Sequence, residues 1–298
     1  MITAPVETET AAPPGAPATS DAWRVDESVM LTSAQALRRN LNLVRELAVT
    51  QFKLKYTGSV LGYLWSLIKP LMVFGMLYTV FELVLHAGRG TANFPMQLLV
   101  GIVLYTFFAE TTGVAVNTVV TNGGIIKRAF FPRVILIIAA TLTAFMTFTI
   151  NMTLIIVVGS LMGKLSLGAQ SLAILPLIIE LYMLTLGIGL ALSALFVFYR
   201  DLGHIWEILS QLLLYASAIV FPLTILHDAR KLQVAAMNPL AQIVEDARHA
   251  LVTQDPTVPW SAHFLEGAWV VPFAITAIIL ATGAAIFRHL TPRFAEYL

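Results

Sequence analysis

Residues able to do chemistry are few and scattered in this chain of 298 residues. The nearest approach to a phosphate-binding loop, residues 159–165, is one residue short and ends in leucine where a magnesium-binding hydroxyl is needed. The six histidines lack the spacing of a metal site, and there is no cysteine to serve as nucleophile, disulfide partner or metal ligand. The sequence therefore predicts no catalytic, cofactor-binding or metal site on this chain.

Ionisable side chains inside long apolar stretches are the next candidates. Glu82, Glu110, Glu180 and Glu207 lie in such stretches, and Lys69 lies near the boundary of one. Charges are costly in an apolar stretch, so they often mark a transport path. Proton-coupled carriers concentrate acids and histidines on facing helices, whereas these glutamates come singly. A structural or interfacial role is therefore favoured for each over a direct transport role.

Aromatic residues in the first two stretches could contact sugars. The pore or sugar-contact candidates are Tyr63, Trp65, Tyr78, Tyr105 and Phe108, because aromatic rings stack on the apolar faces of sugars and tyrosine also offers a hydroxyl. For Tyr63 and Trp65 the alternative is the aromatic belt of a membrane boundary. Tyr105 lies deeper and is the better pore candidate.

Six apolar stretches must position these residues. They cover roughly 61–85, 95–119, 133–161, 171–198, 204–225 and 267–287, and each is long enough to cross a bilayer. Only 12% of the residues are charged, against about 25% in soluble domains. Pro70 and Pro176 fall inside these stretches, and each predicts a kink whose freed carbonyl is satisfied by a neighbouring helix. We predict an all-α integral membrane protein with six transmembrane helices.

Basic residues indicate the orientation. With a cytoplasmic N-terminus, thirteen of the eighteen Lys and Arg residues lie inside and five outside, namely Arg89, Lys164, Arg230, Lys231 and Arg248. The positive-inside rule therefore favours cytoplasmic termini at both ends. Residues 1–32 are polar and rich in Pro, Ala, Thr and Glu, which predicts a disordered cytoplasmic tail rather than a cleavable signal.

A basic amphipathic helix is predicted over residues 33–56, before the transmembrane domain of residues 57–298. Its apolar face carries Leu37, Leu41, Val44, Ala48 and Phe52, and its polar face carries Arg38, Asn42, Arg45, Glu46 and Lys53. Such a helix lies in the cytoplasmic interface of a membrane. The interfacial cations Arg38, Arg39, Arg45, Lys53 and Lys55 suit an anionic headgroup at that surface, and attraction to anionic lipid explains them equally well.

Two segments between the spans complete the pattern. Residues 122–131 form the longest internal cytoplasmic segment, in which Ile125, Ile126, Phe130 and Phe131 give an apolar surface beside the cations Lys127 and Arg128. Apolar residues exposed in a cytoplasmic loop need a partner to cover them. The external segment 226–266 contains a helical pattern after Asn238, and it is predicted to dip into the outer leaflet or cover a pore mouth.

Four motifs resemble one family. Residues 55–71, 127–133, 198–202 and 238–240 together resemble the ABC-2 permeases that export bacterial polysaccharides, of the Wzm and TagG type, and the likeness covers about residues 33–298. It implies a homodimer clamped by two copies of a separate ATPase subunit, which binds the ATP and magnesium. The implied cargo is a polysaccharide attached to polyprenyl diphosphate. Residues 33–56 become a gate helix at the lipid entrance, 122–131 a coupling helix, and 238–266 outer-face re-entrant gate helices.

The resemblance also suggests a substrate and a location. The tail and the overall sequence look similar to mycobacterial members, which implies lipid-linked galactan as cargo, the bacterial inner membrane as location and no nucleic-acid partner. An ABC-2 lipid or drug exporter and a non-transport membrane scaffold remain alternatives. The pair of motifs at 61–65 and 198–201 favours polymer export, and a scaffold would need no coupling segment.

Overall fold

The computed structural model describes residues 33–59, 61–86, 93–128, 132–165, 168–220, 223, 228–252, 260–261, 265, 268 and 270–297. These residues are predominantly helical, and no strand occurs among them. The chain divides into two units, Met1–Asn40 and Leu41–Leu298. The described part of the first unit is the beginning of one helix, and the second unit holds the helical bundle.

Eleven α-helices occur in the described residues. They are α1 (Ser33–Tyr56), α2 (Leu64–Tyr78), α3 (Phe94–Thr121), α4 (Gly123–Arg128), α5 (Val134–Leu161), α6 (Ile174–Phe196), α7 (Leu202–Ala216), α8 (Ala229–Ala236), α9 (Pro239–Leu251), α10 (Val270–Leu290) and α11 (Phe294–Tyr297). A π-helical segment, Thr79–Val84, extends α2, and 3₁₀ turns precede α6 at Ala169–Ala173 and follow α10 at Thr291–Arg293.

Five segments of the described chain are long and apolar enough to cross a membrane. They are Leu64–Val84, Phe94–Thr121, Val134–Leu161, Ala169–Phe196 and Val270–Arg293, and they match five of the six predicted spans. The remaining prediction, 204–225, contains α7, which ends after 15 residues. Such a helix is about 22 Å long, which is less than the hydrocarbon thickness of about 30 Å. The chain is thus a multi-pass membrane protein, but six complete spans are not confirmed.

Helix α3 is the centre of the bundle. It packs against α5 and α6 along most of its length, and against α2, α7 and α9 over shorter stretches. Its large buried side chains include Leu98, Ile102, Leu104 and Phe108. Since lipid tails are as apolar as these side chains, close van der Waals packing rather than escape from water holds such helices together.

Glycines set the closest helix contact, between α6 and α10. A Cβ placed on Gly283 would lie 2.0 Å from the carbonyl oxygen of Gly187, and one on Gly187 would lie 2.6 Å from Leu280 Cα. Two residues later, a Cβ on Gly189 would lie 2.8 Å from the Ala115 Cβ of α3. Small residues therefore allow α6 to approach both neighbours with its backbone.

The two prolines differ in what they require. Pro70 removes an N–H from the middle of α2, and the carbonyl of Ser66, four residues earlier, instead accepts from Asn151 Nδ2 of α5 at 3.1 Å. The predicted satisfaction of the freed carbonyl by a neighbouring helix is confirmed there. Pro176 lies in the first turn of α6, where proline is tolerated, so the kink predicted at that position is not required.

Candidate functional site

The cationic face of α1 is exposed, as predicted. Arg38, Arg39, Arg45 and Lys53 all lie on exposed positions. Lys55 differs, because its ammonium forms an ion pair with Glu110 of α3. Lys55 is therefore engaged within the bundle. Headgroup binding by the other four cations stays a prediction.

The second half of α1 is held against α5 by hydrogen bonds as well as by packing. Ala48 is buried, and its carbonyl accepts from Thr143 Oγ1 at 3.2 Å. The hydroxyls of Tyr56 and Thr147 lie 3.3 Å apart. Leu41, on the predicted apolar face, is exposed. The amphipathic helix of the prediction thus packs part of its apolar face on the protein's own bundle.

The predicted coupling segment contains α4 and needs one correction. Ile126 is only 6% exposed and belongs to a buried cluster with Val119 of α3, Leu136 of α5 and Ala194 of α6. It cannot be part of an exposed apolar surface, because its side chain already packs inside the chain. The side chains of Ile125, Lys127 and Arg128, together with Phe130 and Phe131, lie outside the described part, so their coupling role stays a prediction.

Three of the predicted sugar-contact residues lie along α2. Tyr63 and Trp65, at its beginning, are exposed, and the Tyr63 ring stacks on Phe52 with centroids 5.4 Å apart. Tyr78, at the end of α2, stacks on Phe74 with centroids 5.6 Å apart. These positions suit either a membrane belt or a pore wall, so the sugar-contact role stays a prediction for all three.

The two deeper candidates on α3 have structural partners. Phe108 is fully buried in the core, which leaves it no surface for a sugar, and this corrects its assignment as a pore residue. The Tyr105 hydroxyl donates to the Ser210 carbonyl of α7 at 2.5 Å. One turn earlier in α7, Trp206 Nε1 donates to Thr112 Oγ1 at 3.1 Å. Together these two bonds fasten α7 to α3.

Helix α9 is a buried helix that carries charges. Each of its thirteen residues is buried, including Glu245, Asp246, Arg248 and His249. Asn238 begins it by accepting from the Leu240 N–H at 3.0 Å, as helix-capping asparagines do. The helical pattern after Asn238 was predicted from the sequence, and Arg248 was counted there among the external cations. Arg248 is buried among other segments of the chain, and the side of the membrane on which it lies stays a prediction.

Arg248 binds backbone carbonyls from two other segments. Its Nε donates to the Gln97 carbonyl at 3.0 Å, its Nη1 donates to the Ala218 carbonyl at 2.8 Å, and its Nη2 donates to the Ile219 carbonyl. The carboxylate of Glu245 lies 3.4 Å from Nη1. Residues 217–220 follow the end of α7 without helical structure and are buried. Non-helical backbone inside a membrane protein needs such partners, and the guanidinium supplies them.

A second polar group lies on the same helix. Asp246 accepts from Gln242 Nε2 at 2.7 Å and from both the N–H and the hydroxyl of Ser261 at 2.8 Å. Buried Glu180 of α6 lies 3.5 Å from the Thr276 hydroxyl of α10. Burial raises the pKa of the Glu245 carboxyl, since its loss of hydration outweighs the opposing effect of Arg248. Of these three buried carboxyl groups, only Glu180 was a candidate from the sequence, because it lies in an apolar stretch.

Two cavities with mixed polar and apolar linings flank the second half of α3. One, of about 470 Å³, is lined by Gly113 and Asn117 together with residues that include Arg200, His204, Trp206 and Glu207. The other, of about 440 Å³, shares Gly113 and Asn117 and adds Gln51, Thr118, Thr121 and Asn122. Of the predicted candidates only Glu207 lines either cavity. Sequence reasoning passed over Asn117, although an amide inside a predicted span was a usable signal.

The described residues contain no group of three His, Cys, Asp or Glu side chains that could hold a metal ion. Their polar clusters are held by amide, hydroxyl and carboxylate hydrogen bonds.

Comparison with known proteins adds an independent finding. A protein-family profile described as ABC-2 type transporter matches residues 42–252. The chain is 24% identical over 277 residues to the O-antigen export system permease protein RfbA of Myxococcus xanthus, covering 90% of this chain and 99% of that protein. A protein of the same name from Klebsiella pneumoniae is 26% identical over 271 residues, covering 88% and 98%. The polysialic acid transport protein KpsM of Escherichia coli is 23% identical over 248 residues, covering 82% and 92%.

Proposed function

Because the chain belongs to the ABC-2 type transporter family, we propose that it is the permease subunit of an ATP-driven polysaccharide exporter in the bacterial inner membrane. The observation that carries this proposal is the similarity, over nearly the full length, to permeases named for O-antigen export and polysialic acid transport. Five apolar helices long enough to cross a membrane are consistent with that role. Both termini are cytoplasmic in this proposal, as the distribution of basic residues favours.

Energy must come from outside this chain, because its sequence has no complete phosphate-binding loop. We propose a homodimer of the permease with two copies of an ABC ATPase subunit. Helix α4 and the residues that follow it would receive the ATPase. Buried Ile126 would transmit movement inward, since its cluster includes side chains of α3, α5 and α6.

The cargo is proposed to be a polysaccharide attached to polyprenyl diphosphate, with galactan as the specific polymer. The galactan proposal rests on the resemblance to mycobacterial permeases. Exposed cations on α1, such as Arg45 and Lys53, would meet the diphosphate headgroup at the membrane surface.

Gene deletion with complementation tests the function. We expect a deletion strain to lose one surface polysaccharide and to accumulate its lipid-linked form inside the cell, and the wild-type chain should reverse both changes. A matched strain with an ATPase subunit that binds but does not hydrolyse ATP should show the same accumulation. Compositional analysis of the accumulated polymer identifies the cargo. Unchanged surface polysaccharide in the deletion strain would contradict the proposed function, and a polymer without galactose would contradict only the galactan assignment.

A further inference from the structure

A row of polar and small residues follows one face of α3. Thr106, Glu110, Gly113, Asn117 and Thr121 are spaced by four, three, four and four positions, which places them on one side of a helix. Asn117 and Thr121 are exposed, and the other three are partly exposed. This polar row lies in one of the helices long enough to cross a membrane.

Lipid is an unsuitable neighbour for that face. The Thr121 hydroxyl is satisfied within the helix, since it donates to the Asn117 carbonyl at 3.0 Å. An amide or carboxyl such as that of Asn117 or Glu110 lacks hydrogen-bond partners in hydrocarbon, so such side chains in membrane helices face protein or a water-filled cavity. The two cavities on either side of Gly113 and Asn117, of about 470 and 440 Å³, are large enough for many water molecules. Water in these two cavities would satisfy the amide and carboxyl groups of the polar row.

Neighbouring helices extend the polar surface on both sides. On α1, Gln51 lines one cavity, and Lys55 pairs with Glu110 of the row. On α7, His204 and Glu207 line the other cavity. The side of α7 away from Glu207 carries exposed apolar residues such as Ile205 and Leu209. Helix α7 thus turns its polar side toward the row and its apolar side away from it.

We infer that the polar row and its two cavities form the carbohydrate-contacting wall of the export path, an inference that rests on the proposed function. Amides and hydroxyls both donate and accept, which matches the hydroxyl groups of a sugar chain. The Lys55 and Glu110 charges neutralise each other, so they do not trap a neutral polymer. Gly113 leaves open space, because a Cβ placed there meets no atom within 4 Å.

The wall differs from the aromatic residues that the sequence suggested. Trp206 lines the first cavity, its N–H donates to Thr112, and its ring also contacts Phe108 with centroids 6.2 Å apart, so only the part of the indole that faces the cavity is left for a sugar. Tyr105 uses its hydroxyl to bind α7 instead. Many weak, exchangeable hydrogen bonds suit a polymer that must keep moving, because a tight site would hold it in place.

Cysteine labelling tests whether the wall faces water. The chain has no natural cysteine, so single substitutions report one position each. Asn117→Cys and Thr121→Cys are compared with Ile179→Cys, since Ile179 of α6 is 61% exposed but surrounded by apolar positions. The full exporter in inside-out vesicles is treated with membrane-impermeant methanethiosulfonate ethylsulfonate. We expect Asn117→Cys to react at least about tenfold faster than Ile179→Cys, because the reactive thiolate forms in water. Equal rates at the two positions would overturn the inference.

Export by two variants of Asn117 tests contact with the polymer. In the deletion strain, Asn117→Leu should lower the rate of surface polysaccharide appearance by about tenfold, the effect of losing one or two hydrogen bonds. Asn117→Gln, which keeps the amide, should stay within about twofold. The control Ile179→Leu should export normally. Each variant is also measured for abundance and thermal stability, and labelling of Asn117→Cys decides alone if Asn117→Leu does not fold.

The outcomes separate this inference from the proposed function. A wild-type chain that fails to restore any surface polysaccharide contradicts the function itself. A wild-type chain that restores it, together with an Asn117→Leu variant that exports at the wild-type rate, overturns only the wall. That result would mean that Asn117 faces lipid or a protein neighbour.

Discussion

Two short helices, α7 and α9, reverse the usual relation between polarity and burial. Helix α9 has 13 residues, four of them ionisable in its second half, and all of them are buried. Helix α7 has 15 residues, and none of them is buried. Exposed side chains on α7 include Ile205, Ile208 and Leu212. In a soluble protein, the apolar side of α7 would be buried and the charged side of α9 would be exposed.

The reversal follows from the solvent. Between two helices in lipid there is little gain in covering apolar surface, because the hydrocarbon tails cover it equally well. Charged groups have the opposite requirement, since hydrocarbon offers them no hydrogen bonds. The charged helix α9 therefore lies in the bundle interior, where its side chains find hydrogen-bond partners. The apolar face of α7 is left for lipid or, in the proposed homodimer, for a second copy of the chain.

Replacing Arg248 should have the largest effect on this arrangement. Arg248→Met leaves the Glu245 carboxylate buried without its cation and removes the donor for the Ala218 and Ile219 carbonyls. Removing one partner of a buried ion pair costs about 3 to 5 kcal/mol. We therefore expect little folded protein in membranes, measured by fluorescence-detected size exclusion.

A double variant separates charge from hydrogen bonding. Glu245→Met combined with Arg248→Met removes the unpaired carboxylate, so we expect part of the folded protein to return, while the unsatisfied carbonyls keep stability below wild type. Wild-type behaviour of Arg248→Met alone would show that α9 is not held by this contact.

The same substitution in the two helices tests the comparison directly. Ile243 of α9 is fully buried and Ile208 of α7 is 61% exposed. Ile243→Ala leaves a cavity and should cost about 3 kcal/mol, whereas Ile208→Ala should cost only a few tenths. Thermal unfolding in detergent measures both. A large loss for Ile208→Ala would show that a protein surface, such as a second copy of the chain, covers this face of α7.

Sequence reasoning recovered the parts of the fold that depend on composition. Five predicted spans match helices long enough to cross a membrane, because a window of apolar residues is sufficient evidence for such a helix. The predicted span 204–225 is not confirmed, because helix α7 ends at Ala216 and apolar composition does not reveal where a helix ends. Residues 217–220 are apolar or small, yet the chain leaves the helix there, and distant Arg248 supplies its hydrogen bonds.

The site was harder to predict than the spans. The periodicity of α9 was visible in the sequence, but the partners of its charged side chains were not. The main partners of Arg248 are the backbone carbonyls of Gln97 and Ala218, which lie 151 and 30 residues away in the sequence. Every residue has a carbonyl, so the pattern of residue types does not reveal which carbonyls Arg248 binds. Ile126 was expected on a surface for a similar reason, since a loop sequence does not show which side packs inward.

Two glycines allow a similar comparison for helix contacts that involve no charged side chains. Gly283→Ala places a methyl group against the Gly187 carbonyl, so α10 must move away from α6. Gly75→Ala on the loosely packed α2 meets no atom within 4 Å. We expect Gly283→Ala to lose about 2 kcal/mol of stability and Gly75→Ala to lose none, as compared by thermal unfolding. Equal stability of the two variants would contradict the close contact of α6 and α10.

The smallest expected effect concerns the attachment of the exposed helix α7 to α3. Tyr105→Phe removes the 2.5 Å hydrogen bond to the Ser210 carbonyl and leaves the ring in place. A single hydrogen bond contributes about 1 kcal/mol, so we expect a small fall in the midpoint of thermal unfolding. Export per folded molecule should remain near wild type, because the hydroxyl is used for attachment. The matched control Tyr78→Phe alters a tyrosine of α2 that stacks on Phe74. Unchanged stability with strongly reduced export by Tyr105→Phe would instead return this residue to the polymer path, where its sequence position first suggested it.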